Sequence, residues 1–246
     1  MTLPDGSAHE VALPVAVRRA DSIVMSWLVS LDDAHDVLRE RHPAAAEHLE
    51  PVPMARGRTM VAMPFVRYVD GDLGAYNELG LAFVVRRIGG DPKAAGSYIA
   101  HLPVDGEFTC AAGRQLWGFP KHVADELVIE RDGSRSRVHL ESGDGTMVDA
   151  LPGRGLIPLP ARTMDTTTYA ACDGTLLETA FSMRTEGLRL RPGGRPLRIE
   201  GDGPLARDAI ALGVDRRRPV STLWVDALTG EFAASHPVVG AVSAPA

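Results

Sequence analysis

Short apolar runs separated by turn residues dominate the hydrophobic pattern of this chain. The runs at 22–30, 59–69 and 79–85 are almost continuously apolar and predict buried strands. Pro64 interrupts the second run, so this strand is predicted to bend or to lie at a sheet edge. Shorter predicted strands follow at 97–102, 107–112, 146–151, 175–182, 188–191, 197–200 and 221–227. The pattern therefore predicts a sheet of many short strands.

Turn signals and a few helical patterns complete the predicted elements. Asp132-Gly133 predicts the turn of a hairpin between strands at 123–131 and 136–142. Asp32 or Asp33 is predicted to cap a short helix that ends near Arg41, and residues 205–212 are predicted to form one or two helical turns. Residues 1–20 are predicted to be a loosely held arm, residues 43–57 a covering loop, and residues 152–161 a crossing rich in proline and glycine. We therefore expect an α+β, mostly antiparallel fold with a closed or strongly curved sheet and a few short helices.

Length, charge and cysteine content narrow the class of protein. A chain of 246 residues predicts one domain over 1–246, and a net charge of −6 argues against nucleic acid or an anionic membrane as partner. No run is long enough to span a membrane, and Met1 to Val17 lacks the pattern of a signal peptide, which favours a cytoplasmic location. Cys110 and Cys172 lack metal-binding spacing and are expected to be buried thiols. Neither a metal site nor a cofactor motif is predicted.

The run Gly113-Arg114-Gln115-Leu116-Trp117-Gly118-Phe119-Pro120-Lys121-His122 contains one of only two lysines in a chain with 24 arginines. Unlike arginine, a desolvated lysine can lose its proton. The apolar neighbours predict that burial lowers the pKa of Lys121 and makes its amine neutral. A neutral amine attacks a ketone to form an imine, which then accepts an electron pair. The structural alternative is a lysine at the start of a strand whose ammonium group reaches water.

The same run resembles a known family signature. It is similar to the Gly-Arg-Glu-x-x-x-Tyr/Phe-Pro-Lys-Lys motif of the acetoacetate decarboxylase-like superfamily, and Tyr76-Asn77-Glu78-Leu79-Gly80 resembles the segment whose glutamate faces the Schiff-base lysine. The resemblance implies a cone-shaped barrel with Lys121 pointing inward, Glu78 transferring protons, and assembly into a homo-oligomer.

Several positions depart from the family pattern. Gln115 replaces an acid, Phe119 replaces a common tyrosine, and His122 stands where decarboxylases commonly have a second lysine. A second family glutamate would fall at Met63. The predicted substrate-binding set comprises Trp117, Phe119, Arg114, Gln115 and His122.

Alternatives stay open within this set. The fork of Arg114 matches a carboxylate, although a structural ion pair fits equally well. His122 follows Lys121 along a strand, so its side chain is expected on the opposite face and packing is its alternative role. Trp117 can equally be a core residue. The N-terminal arginine of the family has no unambiguous counterpart, with Arg18 and Arg19 as nearby candidates.

These observations predict a Schiff-base lyase that acts on a small oxo acid. The missing second acid favours enamine addition of a pyruvate-like substrate to an aldehyde, followed by dehydration, over acetoacetate decarboxylation by the same lysine. A further alternative is a ligand-binding relative without turnover. The expected partners are a small oxo acid and, for the aldol reaction, an aldehyde, with no nucleic acid or membrane partner.

Overall fold

The computed structural model describes Leu3 and residues 6–238, which contain a 12-stranded sheet, a four-stranded sheet and four helices. The helices are α1 (Leu31–Arg41), α2 (Pro43–Ala46), α3 (Glu107–Trp117) and α4 (Pro204–Ala211). The strands are β1 (Val15–Ser30), β2 (Leu49–Pro51), β3 (Arg58–Gly71), β4 (Tyr76–Leu79), β5 (Leu81–Arg87), β6 (Gly96–Val104), β7 (Lys121–Val123), β8 (Glu126–Asp132), β9 (Arg135–Ser142), β10 (Thr146–Ala150), β11 (Ile157–Pro158), β12 (Arg162–Cys172), β13 (Thr175–Glu186), β14 (Arg189–Pro192), β15 (Arg198–Gly201) and β16 (Ser221–Pro237).

The larger sheet is strongly curved and mostly antiparallel. Strand β1 pairs with both β3 and β16, and β16 in turn pairs with β13 and β14. The parallel pairs both involve β6, which lies beside β12 and β7. The smaller sheet has the order β15-β10-β9-β8. These pairings confirm the predicted α+β, mostly antiparallel class.

Two local predictions are confirmed, and one cap is corrected. Strands β8 and β9 form the predicted hairpin, with Gly133 at a positive φ of 56° in the turn. Helix α4 lies where the helical turns were predicted. Helix α1 begins earlier than expected because Ser30, rather than Asp32 or Asp33, is its N-cap and accepts a hydrogen bond from the backbone N–H of Asp33.

The strand predicted at 107–112 is wrong, because these residues form the first half of α3. The segment contains Phe108, Thr109 and Cys110, whose strand preference suggested extended structure. Buried residues at 109, 113 and 117 instead follow the four-residue spacing of one helix face. The side chains on that face matter for the site described below.

Pro64 lies inside a central strand, so its predicted edge position is wrong. Strand β3 pairs with β1 on one side and with β4 and β5 on the other. The ring of Pro64 lies opposite Gly80, where a Cβ atom would come within 2.9 Å of the ring. Gly80 also separates β4 from β5 and donates its N–H to the Pro64 carbonyl. Strands β4 and β5, which pair with this side of β3, are therefore interrupted at the position opposite Pro64, where β3 has no backbone N–H to donate.

Three predicted irregular segments contain strands. Strand β1 begins at Val15, so the predicted arm is shorter than 1–20; Met1, Thr2, Pro4 and Asp5 lie outside the described residues. Residues 43–57 include α2 and β2, and the crossing after residue 152 includes β11. Strand β12 was not predicted, because its first four residues are exposed and it begins with polar, threonine-rich sequence.

The main core lies between the large sheet, the small sheet and helices α1 and α4. Its largest fully buried side chains include Trp27, Trp224, Phe65 and Phe83. No helix in the described part of the chain combines the length and apolar character needed to cross a membrane.

The buried carboxylate of Asp208 links helix α4 to the end of α1 and to strand β6. Asp208 on α4 lies 2.7 Å from Arg41 and 2.8 Å from His42, at the end of α1, and 2.7 Å from His101 on β6. Burial alone raises the pKa of Asp208, but hydrogen bonds from His101, His42 and Arg41 lower it well below its usual range. These nitrogen–oxygen distances are those of hydrogen bonds, so we interpret the cluster as a structural link.

We expect Asp208→Asn to lower the free energy of unfolding by roughly 1–3 kcal/mol at pH 7, since charged hydrogen bonds are lost. The folded-state pKa is depressed, so this stabilisation is complete above the unfolded pKa of about 3.9 and is lost as the pH falls below it. Urea unfolding of both proteins at pH 7 and pH 3 measures the difference. Asp36→Asn is the control, because Asp36 pairs only with exposed Arg39. A wild-type advantage that is undiminished at pH 3 would contradict the assignment.

Candidate active site

Lys121 begins β7, and its side chain is only 2% exposed. Its Nζ atom lies 2.8 Å from Oε2 of Glu78 on β4 and donates a hydrogen bond of 3.0 Å to Oγ1 of Thr109 on α3. Glu78 is also buried. The two segments with family resemblance therefore meet in a buried ion pair.

One face of α3 builds the space for the lysine. Thr109, Gly113 and Trp117 lie four residues apart and share that face. Thr109 accepts the hydrogen bond from Nζ, and Trp117 forms part of a cavity wall. A Cβ atom at Gly113 would lie 2.4 Å from Cδ of Lys121. A glycine is therefore required where the aliphatic part of Lys121 crosses the helix.

The turn after α3 directs the chain back toward the helix. Gly118 has a positive φ of 63° and donates its N–H to the carbonyl of Arg114, while Phe119 donates to the carbonyl of Gly113. This pair of bonds satisfies the last carbonyls of the helix and depends on the left-handed glycine. Lys121 follows two residues later, so the Gly-Phe-Pro segment sets the side of the helix on which the lysine lies.

Two stacked tyrosines lie beside the ion pair. Tyr76 precedes Glu78 by two residues and therefore shares its face of β4, and Tyr68 lies opposite Tyr76 on β3. Their ring centroids are 4.3 Å apart, with an interplanar angle of 18°. The Tyr68 hydroxyl donates to Oε1 of Glu78 at 3.2 Å, and Nζ of Lys121 lies 4.9 Å from the Tyr76 ring centroid. Both carboxylate oxygens of Glu78 are thus engaged.

A cavity opens above these polar groups. The space between its atoms amounts to about 380 Å³ when the open mouth is included. Its polar lining consists of Lys121, Glu78, Tyr68 and Tyr76, and its apolar lining includes Val15, Val17, Leu73, Trp117, Phe119 and Phe232. The cavity is therefore a small, mostly apolar site with its titratable groups gathered around one amine.

The ion pair determines the charge of the lysine. Burial lowers the pKa of Lys121, but the Glu78 carboxylate and Tyr76 raise it more, so the net shift is upward. The expectation that apolar surroundings make the resting amine neutral is therefore wrong, because a buried carboxylate 2.8 Å away favours the ammonium form. Any neutral amine has to arise by transfer of a proton from Lys121.

Both tyrosines remain protonated at neutral pH. Burial raises the pKa of Tyr68 well above its ordinary value, and the negative charge of Glu78 adds to this. Burial also raises the pKa of Tyr76, although the neighbouring Lys121 charge opposes the increase. The cavity thus contains two neutral phenols beside an ammonium–carboxylate pair.

Three of the predicted substrate-binding residues lie outside the cavity. Arg114 and Gln115 are exposed on α3 and line a surface groove instead. His122 points away from Lys121, as strand alternation requires, and lies 3.9 Å from Asp144. Burial lowers the pKa of His122 despite that carboxylate. The structure thus places these three residues outside the cavity, and it places Trp117 and Phe119 in the cavity wall.

The described part of the cavity lining lacks the arginine that was expected for a substrate carboxylate. Among the described residues, Lys121 is the one cationic side chain that lines the cavity. Arg18 pairs with Asp70 and Asp72 at the exposed surface, and Arg19 is also exposed. Met63 is fully buried in the main core, so that position supplies no second carboxylate.

The sequence interpretation missed Tyr68, Tyr76 and Thr109. A signal for Tyr76 was present, because two-residue spacing from Glu78 places both side chains on one strand face. Tyr68 required the register between β3 and β4, which sequence alone does not provide. Thr109 was missed because α3 was predicted as a strand.

Comparison with known proteins agrees with this fold. The family model described as acetoacetate decarboxylase matches residues 19–151, which is more than half of the chain. The chain belongs to the acetoacetate decarboxylase family. The matched segment includes both Glu78 and Lys121.

Curated relatives carry the same family name. Acetoacetate decarboxylase 1 of Bradyrhizobium diazoefficiens is 32% identical over 102 residues, which cover 41% of this chain and 39% of that protein. The chain thus spans about a third to two fifths of the length of the curated relatives it matches.

Solved structures share the fold over nearly the whole chain. Acetoacetate decarboxylase from Legionella pneumophila has a TM-score of 0.67 at 16% identity and covers 99% of this chain and 94% of its own. The enduracididine biosynthesis enzyme MppR, complexed with the condensation product of pyruvate and imidazole 4-carboxaldehyde, has a TM-score of 0.53 at 13% identity and covers 95% and 93%. At these low sequence identities, the similarity shows a shared fold and nothing further.

We expect Gly113→Ala to displace the side chain of Lys121, since the added methyl group overlaps its aliphatic stem. The substitution should cost roughly 1–3 kcal/mol of stability and reduce the reactivity of Lys121 toward a small acylating ester. Urea unfolding and mass spectrometry of the modified lysine measure the two effects. Gly143→Ala is the control, because its Cβ atom would meet only the flexible end of Asp125. Equal Lys121 reactivity in the Gly113 variant and the wild type would contradict this role.

We expect Glu78→Gln to lower the pKa of Lys121, because burial remains while the opposing carboxylate charge is removed. Acylation of Lys121 should then rise at a pH lower by about 1–3 units than in the wild-type protein. Rates of acylation by a small ester, followed by peptide mass spectrometry from pH 6 to 11, measure the shift. Exposed Lys93 reports the intrinsic pH dependence of the reagent in the same samples. A profile that stays in place or moves to higher pH would be inconsistent with the ion pair.

Proposed function

We propose that the protein is a lysine-dependent lyase that forms a Schiff base between Lys121 and a small oxo acid, and that it decarboxylates a β-keto acid. The observation that carries this proposal is the contact of 2.8 Å between Nζ of Lys121 and Glu78 in a cavity with apolar walls. Membership of the acetoacetate decarboxylase family supports it.

Glu78 makes the amine available in this proposal. Transfer of a proton from the Lys121 ammonium to Glu78 converts the ion pair into an amine and a carboxylic acid, with no net change in charge. The amine then attacks the substrate ketone, and the resulting carbinolamine loses water with a proton from Glu78. The iminium ion that remains is positively charged and lies opposite the regenerated carboxylate.

The charge balance of the cavity favours decarboxylation on this imine. Loss of carbon dioxide converts the iminium–carboxylate pair of the bound substrate into a neutral enamine and a neutral gas. Apolar walls favour such a loss of charge, because the reactant is more polar than the transition state. The lack of an arginine in the described cavity lining fits this reaction, since a tight carboxylate clamp would stabilise the reactant instead.

Aldol addition with dehydration is the second candidate. It uses the same imine but requires a proton loss to form the enamine, which then adds to an aldehyde. The single carboxylate of the cavity and the fold likeness to MppR favour it. Arg114 was the expected binder of the oxo-acid carboxylate in this reaction, and its position outside the cavity weakens the case.

Borohydride trapping tests the Schiff base directly. Acetoacetate or pyruvate with sodium borohydride should add one substrate-derived mass to the intact protein, located on Lys121. Lys121→Arg should lose this adduct and the activity, because arginine keeps a positive charge but cannot form an imine. Lys93→Arg is the matched control and should retain both, since it replaces the other lysine of the chain. Absence of a Lys121 adduct in the wild-type protein would refute the covalent mechanism and leave the ligand-binding alternative.

A pair of assays separates the two reactions. Carbon dioxide release from acetoacetate, or another β-keto acid, should depend on Lys121. Absorbance growth with pyruvate and an aromatic aldehyde should be absent. The reverse result, with an intact borohydride adduct, would favour aldol addition and dehydration.

A further inference from the structure

A Schiff-base reaction needs an acid at the substrate carbon as well as a base at the nitrogen. After decarboxylation the enamine carbon must receive a proton, and this carbon is two bonds from Nζ. The acid therefore has to lie beside Nζ and face the cavity. Among the described residues that line the cavity, Glu78, Tyr68 and Tyr76 carry a transferable proton close to Lys121.

Glu78 is engaged at the stage when the enamine is protonated. Its Oε2 faces Nζ, where the iminium N–H forms, and its Oε1 accepts the hydrogen bond from Tyr68. The carboxylate therefore balances the positive nitrogen while the carbon gains its proton. The Tyr68 hydroxyl is in turn directed at Glu78, so it orients the carboxylate.

Tyr76 is the remaining candidate for the acid. Nζ of Lys121 lies 4.9 Å from the centroid of its ring. Its side chain lines the same cavity as Lys121, so a substrate bonded to Nζ in that cavity would lie beside Tyr76. The stacked Tyr68 fixes the plane of the ring. We infer that Tyr76 is the catalytic acid that protonates the enamine carbon and, in reverse, removes a proton from that carbon.

The step balances in atoms and charge. The enamine π bond forms a new C–H bond with the Tyr76 proton, the nitrogen lone pair forms the C=N bond, and an iminium–phenolate pair results. Attack of water on the iminium carbon then releases a proton to Glu78, in the reverse of imine formation. The phenolate regains its proton from solvent, which supplies the one proton that conversion of a β-keto carboxylate into a ketone and carbon dioxide consumes. This role rests on the proposed function, since it requires the Lys121 imine.

Hydrogen exchange of acetone in D₂O isolates this step from decarboxylation. The wild-type protein should form the acetone imine and exchange the methyl hydrogens, as measured by proton NMR. Tyr76→Phe keeps the ring and its stacking but removes the acid. We expect its borohydride adduct with acetone to form as in the wild type, while exchange slows by at least about 100-fold.

Two further tyrosine variants serve as controls for the loss of a hydroxyl group. Tyr68→Phe should retain exchange within about tenfold and shift the pH dependence of adduct formation, because it acts through Glu78. Tyr169→Phe removes a buried phenol that does not line the cavity and should behave as the wild type. Circular dichroism checks that each variant is folded.

The outcomes distinguish the two claims. An adduct on Tyr76→Phe with undiminished exchange overturns the role of Tyr76 and leaves the Schiff base intact. Equal loss of exchange in Tyr68→Phe overturns the assignment to Tyr76 in particular. Loss of the adduct in a folded Tyr76→Phe also overturns the role at carbon, whereas absence of an adduct on the wild-type protein refutes the proposed function itself.

Discussion

A lysine ammonium group and a glutamate carboxylate, both removed from water, are the constraint around which this molecule is built. Burying two charges carries a desolvation cost that their attraction repays only with good geometry and further hydrogen bonds. Here Thr109 accepts from Lys121, and Tyr68 donates to Glu78. Because the pair is a weak source of stability, the surrounding elements have to hold it in place.

The scaffold supplies that support from elements distant in sequence. Trp117 donates its Nε1 hydrogen bond to the carbonyl of Ala233, and Ser235 donates to the carbonyl of Leu116, so β16 fixes the end of α3. The opposite wall depends on β4, which is kept separate from β5 at Gly80. The lysine is thus held between a helix anchored at its end and a strand of fixed register.

The sequence allowed a correct prediction of the fold class and singled out Lys121 and Glu78, which the structure places in contact. It failed where tertiary contacts decide. Lys121 and Glu78 were found because the unusual scarcity of lysine and two short motifs identify them. The charge of Lys121 was mispredicted, since apolar neighbours in sequence do not reveal how a carboxylate competes with burial. The exposure of Arg114 and Gln115 was not predicted, because it depends on the period of α3, a helix that the sequence pattern did not indicate.

The origin of the cavity walls has a consequence for how substrate preference can change. Lys121, Glu78 and both tyrosines lie within residues 19–151, the part matched by the family model, whereas Phe232 comes from the last described strand. Phe232 stacks on Phe181, also outside the matched segment, with ring centroids 3.9 Å apart. The second half of the chain thus contributes Phe232 to the cavity wall but none of the titratable groups that line the cavity. Replacement of side chains in the second half offers a route to new substrates that leaves the proton-transfer apparatus untouched.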